Sequence, residues 1–364
     1  MNKIVQIGSG MIGSAMAYDL SQKHDVVVGD FNEQSLAKVK KLNKDISVQK
    51  LDVTNQSKLK SFIHEADIVL LAVPGHLGYS ALKTIIKSKK NVVDISFSNE
   101  NFLDLHELAK NVGVTAVVDA GLAPGIPNYL LGFHNSQMKI DSFEYYVGGL
   151  PKYPEPPFNY KAPFSPIDVI EEYTRPARMM VNGHIETKPA LSEIEIMNFE
   201  NIGTLEAFNT DGLRSILYTM KHIKNMKEKT LRYSGHAALM ANYRNAGKFN
   251  DDEIQKTSKE LFTAWRLKED EPELTILKII IKGENKIISY SIYDEYDSTL
   301  NFSSMSRTTG FTATATVNIL LKNIFTKKGV FPPELLGQDK RSVNYLKEYL
   351  KERNIHINQK IEKY

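Results

Sequence analysis

Ile4-Val5-Gln6-Ile7-Gly8-Ser9-Gly10-Met11-Ile12-Gly13 opens the chain and decides its fold. A β-branched run meets three glycines spaced GxGxxG, and residues 14–22 continue with helical spacing. In such a strand–turn–helix, Gly8 permits the tight turn, Gly10 lets the backbone approach a pyrophosphate, and Gly13 lets the helix lie close to the strand. Free N–H groups and the positive dipole end then face the phosphates. Asp30 ends the next strand, at about the 20-residue distance where a carboxylate bonds ribose hydroxyls. Strand, glycines, helix and acid together predict dinucleotide binding; the alternative is a glycine turn that holds no cofactor. Asp30 would repel a 2′-phosphate, and no Arg or Lys follows it before Lys38. NAD is therefore expected over NADP, unless a more distant cation supplies phosphate binding.

Outward from this stretch the alternation continues. Residues 26–30, 48–52, 68–73, 91–95 and 115–119 read as strands, and 36–42, 59–64, 77–88 and 103–111 as helices. Short apolar strands between amphipathic helices predict an α/β fold, a doubly wound, Rossmann-type parallel sheet covered on both faces. Ligands on such sheets bind at the carboxyl ends of the strands. The expected cofactor contacts are Gly8, Gly10, Met11, Ile12, Gly13, Asp30, Asp52, Val73, Pro74, Ser96 and Phe97, with Asp119 at the end of the sixth strand.

Beyond Gly121-Leu122-Ala123-Pro124-Gly125 the style changes. Residues 143–149 read as an aromatic-rich strand, and six prolines between 151 and 166 punctuate a long loop with Tyr153, Phe158, Tyr160 and Phe164 to bury. That loop reads as an ordered lid or binding loop. Ser165-Pro166 is expected to start a helix through Glu172. Asn182-Gly183 and Gly283-Glu284-Asn285 mark hairpins. A strand at 205–208, a helix at 213–221, a strand at 230–233 and helices at 237–246 and 252–265 complete a second, α+β domain with a largely antiparallel mixed sheet. The apolar helix 312–325 is expected to return to the first domain. The division expected is 1–122 with 303–364 for the dinucleotide domain and 123–302 for a second, substrate-binding domain.

Composition narrows the classes. The chain has 364 residues, 42% hydrophobic and 24% charged, a net charge of +3 and no cysteine. Disulfides, thiolate metal sites and cysteine nucleophiles are excluded. The weak, scattered charge argues against nucleic acid or an anionic membrane as partner. No apolar run approaches a membrane span of about 18 residues, and the start reads as a strand rather than a signal peptide, so a cytoplasmic protein is expected. The nine histidines do not cluster with carboxylates at ligand spacing, and no metal is expected.

Several stretches carry a family likeness: Gly121-Leu122-Ala123-Pro124-Gly125, Val147-Gly148-Gly149-Leu150-Pro151, Thr174-Arg175-Pro176-Ala177, Asp211-Gly212-Leu213-Arg214-Ser215 and Thr230-Leu231-Arg232-Tyr233. Their order resembles the saccharopine dehydrogenase family over nearly the whole chain. Within it, residues 171–178, Tyr233-Ser234-Gly235-His236 and 303–311 resemble the lysine 6-dehydrogenases, although Pro is usual where Ser234 stands. Glutamate-forming saccharopine enzymes typically carry Asp at the place of Ala123 and Cys at the place of Val147. The resemblance implies NAD-dependent oxidative deamination of the ε-amine of L-lysine to a semialdehyde that cyclises to piperideine-6-carboxylate, and a homodimer. A saccharopine dehydrogenase or related carboxyamine reductase is the alternative enzyme, and a non-catalytic NAD-binding protein the alternative class.

Such chemistry makes three demands. Only the neutral amine can expel a hydride, while a free lysine amine has a pKa of about 10.4, so a base or a desolvating pocket is needed. The amino-acid end needs a cation for its carboxylate and an anion for its ammonium. The distance between these points selects chain length. Asp119 is a candidate to hold or deprotonate the amine, or else a turn carboxylate. His236 is a candidate base, or else a structural hydrogen-bonding group. Arg214 could clamp the α-carboxylate with Asp211 on the α-ammonium, or the two could form a helix-start salt bridge. Tyr173, Arg175 and Lys161 are further substrate-binding candidates, with a solvated helix end as the plain reading of Arg175 and Arg178.

Overall fold

The computed structural model describes residues 1–164, 166–268 and 270–363. The chain divides into two compact units, Met1–Ser136 with Ser306–Asn354, and Gln137–Met305 with Ile355–Tyr364. The start of the expected helix, Ser165, lies outside the described residues.

Unit 1 is built on strands β1 (Lys3–Ile7), β2 (Asp25–Asp30), β3 (Ser47–Lys50), β4 (Ile68–Leu71), β5 (Asn91–Asp94) and β6 (Thr115–Val117). With the late strand Gly329–Phe331 they form a seven-stranded sheet in the order late strand, β6, β5, β4, β1, β2, β3. Each pairing in it is parallel. β4 is buried at all four positions, as expected for a strand covered on both faces. The chain order reverses between β1 and β4, which is the switch point of a doubly wound sheet. The helix Ile126–Asn135, started by the turn at Gly125, has no counterpart in the sequence reading, nor has the short helix Pro333–Gly337. The first packs on the second, where a Cβ at Gly132 would stand 2.0 Å from the Glu334 carbonyl. That packing carries unit 1 on to Ser136, past the expected division at Leu122. The helix Ser304–Leu321 supplies unit 1 from Ser306 onward, starting eight residues earlier than its apolar run suggested.

Unit 2 holds β7 (Ser142–Pro151), β8 (Ala177–Val181), β9 (His184–Lys188), β10 (Glu195–Phe199), β11 (Gly203–Asn209), β12 (Asn225–Tyr233), β13 (Glu273–Gly283) and β14 (Lys286–Glu295), with β16 (Asn358–Lys363) at the edge; the late strand of unit 1 is β15. The sheet runs β10-β11-β12-β7-β13-β14-β16, and β8 and β9 join through β12. Only β12 and β7 pair in parallel, so the sheet is mixed and largely antiparallel. Both marked hairpins form. Asn182 and Gly183 have φ of 49° and 84°, and Glu284 and Asn285 have 49° and 56°, the two positive φ values of a hairpin turn that matches strand twist.

One expected helix shrinks. Residues 213–221 were read as helical, yet only Ile216–Thr219 forms. Arg214 has φ 50°, which a right-handed helix cannot accommodate, so the preceding residues become a structured loop.

Candidate functional site

In unit 1 the glycine loop is shaped as its spacing requires. A Cβ at Gly8 would stand 2.0 Å from the Ala72 carbonyl oxygen, and one at Gly13 2.5 Å from the Gly8 oxygen. Both positions therefore exclude a side chain for packing reasons. Gly10 differs, because a Cβ there would meet nothing within 4 Å. It is the N-cap of the helix Met11–Ser21, which has no side-chain cap. An open approach over Gly10 beside an uncapped helix start is what a pyrophosphate needs, so the residues present fit a dinucleotide. Met11 is exposed on this first turn.

Asp30 faces the same loop. Its Oδ2 accepts from the Ser9 amide at 2.6 Å and the Ser9 hydroxyl at 2.8 Å, and its Oδ1 from the Asn32 amide at 2.7 Å. A carboxylate offers about four acceptor sites, so three protein donors leave capacity for a ribose hydroxyl. Lys50, paired in register with Asp30, carries its ammonium 2.9 Å from Glu33. Asp52 is exposed and closes its own turn, accepting from the Thr54 amide at 2.9 Å and hydroxyl at 2.6 Å.

Val73 and Pro74 lead into the helix Gly75–Lys87. A Cβ at Gly75 would stand 2.3 Å from the Phe97 oxygen, and one at Gly78 2.1 Å from the Ser96 hydroxyl. The structure thus brings the 73–75 and 96–98 turns together at the carboxyl end of the sheet. Asp94 fixes the second turn by accepting from the Ser96 amide at 2.8 Å and hydroxyl at 2.5 Å. Asp119 follows β6, buried, with φ 55°. Beyond it the chain doubles back, with Gly121 bridged to Gly125 and a Cβ at Gly125 only 1.7 Å from the Gly121 oxygen. No ionisable side chain occurs in this 121–125 loop.

In unit 2 the structure gathers a buried polar cluster that sequence reasoning saw only in part. Glu206, on β11, accepts from the Gly235 amide at 3.0 Å and also from the Ala237 amide. It thereby caps the helix His236–Asn245, a carboxylate at the positive helix end. His236 is the first residue of that helix rather than a loop residue, and 1% of its surface is exposed. Its Nδ1 lies 2.8 Å from the Phe158 carbonyl and its Nε2 2.9 Å from the Tyr173 hydroxyl. The carbonyl can only accept, so Nδ1 carries the proton and Tyr173 donates to Nε2. Tyr173 in turn receives the Arg232 Nε–H at 3.3 Å. Burial first, and the Arg232 charge second, hold the His236 imidazole down at about 3. His236 is therefore neutral with both nitrogens engaged, the arrangement of a structural hydrogen-bonding group that orients Tyr173 and the 158 loop.

Arg232 itself is buried, bonded to Glu172 at 2.8 Å, and its guanidinium lies 4.3 Å from the Tyr160 ring centre. Tyr160, Tyr173 and Trp265 surround His236 at ring separations of 5.1, 5.5 and 6.4 Å. The signal was present in the sequence, since Arg232 is a charge inside the strand stretch Thr230-Leu231-Arg232-Tyr233, and a charge there needs a partner.

Asp211, the candidate for the α-ammonium, has a partner within unit 2. Its carboxylate is gripped by Arg178, from the backbone amide at 3.1 Å, from Nε at 2.9 Å and from Nη2 at 2.8 Å. Arg178 stands on β8 rather than at a solvated helix end, and the fork-to-carboxylate geometry occupies Asp211. Arg214 is buried in the same loop. Arg175 bonds Glu171 one helical turn earlier, and Lys161 lies 3.4 Å from the Ala264 carbonyl and 3.8 Å from Glu155. These two are engaged in local structure. Among the described residues no group of three or more His, Asp or Glu side chains could hold a metal, and no helix is long and apolar enough to cross a membrane.

Comparison with known proteins gives consistent matches. The sequence profile of the saccharopine dehydrogenase NADP binding domain matches residues 4–117, and that of the saccharopine dehydrogenase C-terminal domain matches residues 121–355. The alpha-aminoadipic semialdehyde synthase of Arabidopsis thaliana is 28% identical over 235 residues, 59% of this chain and 22% of that protein. The saccharopine dehydrogenase [NADP(+), L-glutamate-forming] of Saccharomyces cerevisiae is 28% identical over 280 residues, 72% of this chain and 61% of that enzyme. The chain thus spans less than two thirds of the length of either. A solved structure of apo saccharopine dehydrogenase (L-Glu forming) from Saccharomyces cerevisiae superposes with a TM-score of 0.78 at 18% identity, covering 100% of both chains. It shares the fold.

Proposed function

The chain belongs to the saccharopine dehydrogenase family, and from that premise we propose that it is an NAD-linked oxidoreductase acting on the ε-amine of L-lysine. The observation that carries the choice of substrate is the 121–125 loop, which carries no ionisable side chain and has Ala at position 123. Val147, half-buried on β7, supports it. These are the two positions at which glutamate-forming enzymes of the family typically carry Asp and Cys.

The nicotinamide supplies a hydride acceptor when bound. The backbone of Gly10 to Gly13 would hold the pyrophosphate, and Asp30 the adenosine ribose. Asp119 takes the proton from the lysine ammonium, which leaves the neutral amine as the species that can lose hydride from Cε. Loss of hydride gives an iminium; water adds to it and ammonia leaves, so the semialdehyde carries the oxygen of water. Arg214 pairs with the α-carboxylate. His236 and Tyr173 hold the surrounding loops through the hydrogen bonds described above and move no proton.

Lysine labelled with heavy nitrogen at the ε position tests this reading. Label recovered in ammonia supports it; label retained in the organic product refutes it. A second reading, oxidation of the secondary amine of saccharopine with NADP, is favoured by the activity for which the yeast relative is named, and glutamate released from saccharopine would establish it.

A further inference from the structure

The loop Thr210-Asp211-Gly212-Leu213-Arg214-Ser215 connects β11 to the short helix Ile216–Thr219. It holds Arg214 at φ 50°, a conformation that an L-residue with a large side chain adopts only where its surroundings enforce it. Three groups fasten the loop. Arg178 grips Asp211. The Tyr145 hydroxyl donates to the Gly212 carbonyl at 2.7 Å. Glu228, on β12, accepts the Gly212 amide at 3.0 Å, and its two oxygens lie 2.9 and 2.8 Å from the Thr210 hydroxyl. That hydroxyl is 2.8 Å from the Thr230 hydroxyl. The carboxyl is packed directly on the loop backbone, since a Cβ at Gly212 would stand 2.6 Å from the Glu228 carboxyl carbon. Beside Arg214, the Ser215 hydroxyl is buried without a hydrogen-bond partner.

We infer that Glu228 is a positioning residue whose carboxyl holds the 210–215 loop, and with it Arg214 and the Ser215 hydroxyl, in the shape that receives the carboxylate of an amino-acid substrate. The inference rests on the reading of Arg214 given above. Arg178 and Tyr145 fix Asp211 and one face of Gly212, and Glu228 reaches both the Thr210 side chain and the Gly212 amide. It is therefore the group that sets the start of the loop.

Below about pH 8 Glu228 does this as a neutral acid. Burial raises its carboxyl to about 8, against the bonds from Thr210 and Gly212, with Glu172 and Asp211 raising it further. In that state one oxygen accepts from Gly212, the acid proton goes to Thr210, and Thr210 donates to Thr230, so each group is satisfied. A glutamine side chain can repeat the pattern with its carbonyl toward Gly212 and its amide toward Thr210.

Glu228→Ala, Glu228→Gln and Arg214→Ala test this alongside the wild-type enzyme. Hydrogen exchange over 209–216 is measured first, because it needs no substrate. Glu228→Ala should raise exchange there by about tenfold or more while NADH affinity, a property of unit 1, stays within about twofold. Glu228→Gln should exchange like wild type. In turnover of L-lysine, Glu228→Ala should raise KM by about tenfold with kcat nearly unchanged, and Glu228→Gln should restore KM. Unchanged exchange and KM in Glu228→Ala, or a Gln variant as impaired as the Ala variant, overturns the inference. Failure of the functional reading looks different: exchange responds to Glu228→Ala as stated, but no variant or wild type turns over lysine, or Arg214→Ala leaves KM unchanged.

Discussion

Asp30→Asn should weaken NADH binding and strengthen NADPH binding. The side chain keeps its size, while its charge is lost and one of two acceptor oxygens becomes a donor. In the structure the carboxylate already receives three donors, from Ser9 and Asn32. Replacing a charge-assisted ribose hydrogen bond by a neutral one removes about 1 kcal/mol. For a 2′-phosphate of about two charges placed about 5 Å away, repulsion from Asp30 is about 2 kcal/mol in a water-like dielectric and rises as the dielectric falls. Asp30 is half-exposed, so the lower figure applies. Together about 3 kcal/mol separates the two cofactors, which is a factor on the order of a hundred in the ratio of dissociation constants. Fluorescence titration of the purified protein with NADH and NADPH, at fixed ionic strength, measures both. Lys50 is the cation that could change the outcome, and its pairing with Glu33 holds it away from that role. Wild type that binds NADPH more tightly, or an Asn variant whose ratio does not move, would refute the reasoning and shift attention to Lys50.

Gly10→Ala should fold normally, because its Cβ meets nothing within 4 Å, yet lose NADH affinity by about tenfold or more as the methyl enters the pyrophosphate path; a melting curve and a titration check both halves. Arg214→Met should raise KM for lysine by about 10- to 100-fold with a smaller effect on kcat, read from steady-state kinetics. Acid should destabilise the wild type through His236. Its native value of about 3 lies below the ordinary histidine value of about 6.5, so the unfolded chain binds the extra proton, and this contribution is present above about 6.5 and lost as pH falls toward 3. Urea unfolding of His236→Gln should show a shallower loss over that window. Glu228 has the opposite sign, since its native value of about 8 lies above 4.5. Its contribution is present below about 4.5 and lost as pH rises toward 8, so Glu228→Gln should gain stability relative to wild type across that range.

The dinucleotide unit was legible because its signals are local. Strand, glycines, helix and Asp30 lie within one βαβ unit, and the parallel order follows from connection handedness. The helix Ile126–Asn135 was not, since it begins where the strand–helix alternation stops and its burial depends on the remote segment Pro333–Gly337. The hairpins at Asn182-Gly183 and Glu284-Asn285 announced themselves by turn chemistry, whereas β16 is exposed along its length and has no apolar alternation to find. In the second unit the residue types of the polar cluster were visible but their pairings were not. The partners of His236, a candidate base, and of Asp211, a candidate for the α-ammonium, are Tyr173, Phe158 and Arg178, all distant in sequence. Glu228 and Arg232 sit in one strand and gain their meaning from partners on the 160–174 and 210–212 segments.

The reaction proposed for this chain is oxidation of the side-chain amine of lysine with NAD. The direct measurement is formation of reduced nicotinamide by the purified protein at mildly alkaline pH, with L-lysine and L-saccharopine each paired with NAD and NADP. The account predicts reduction with lysine and NAD, and little with the other pairs. Reduction with saccharopine and NADP in place of lysine and NAD would contradict it.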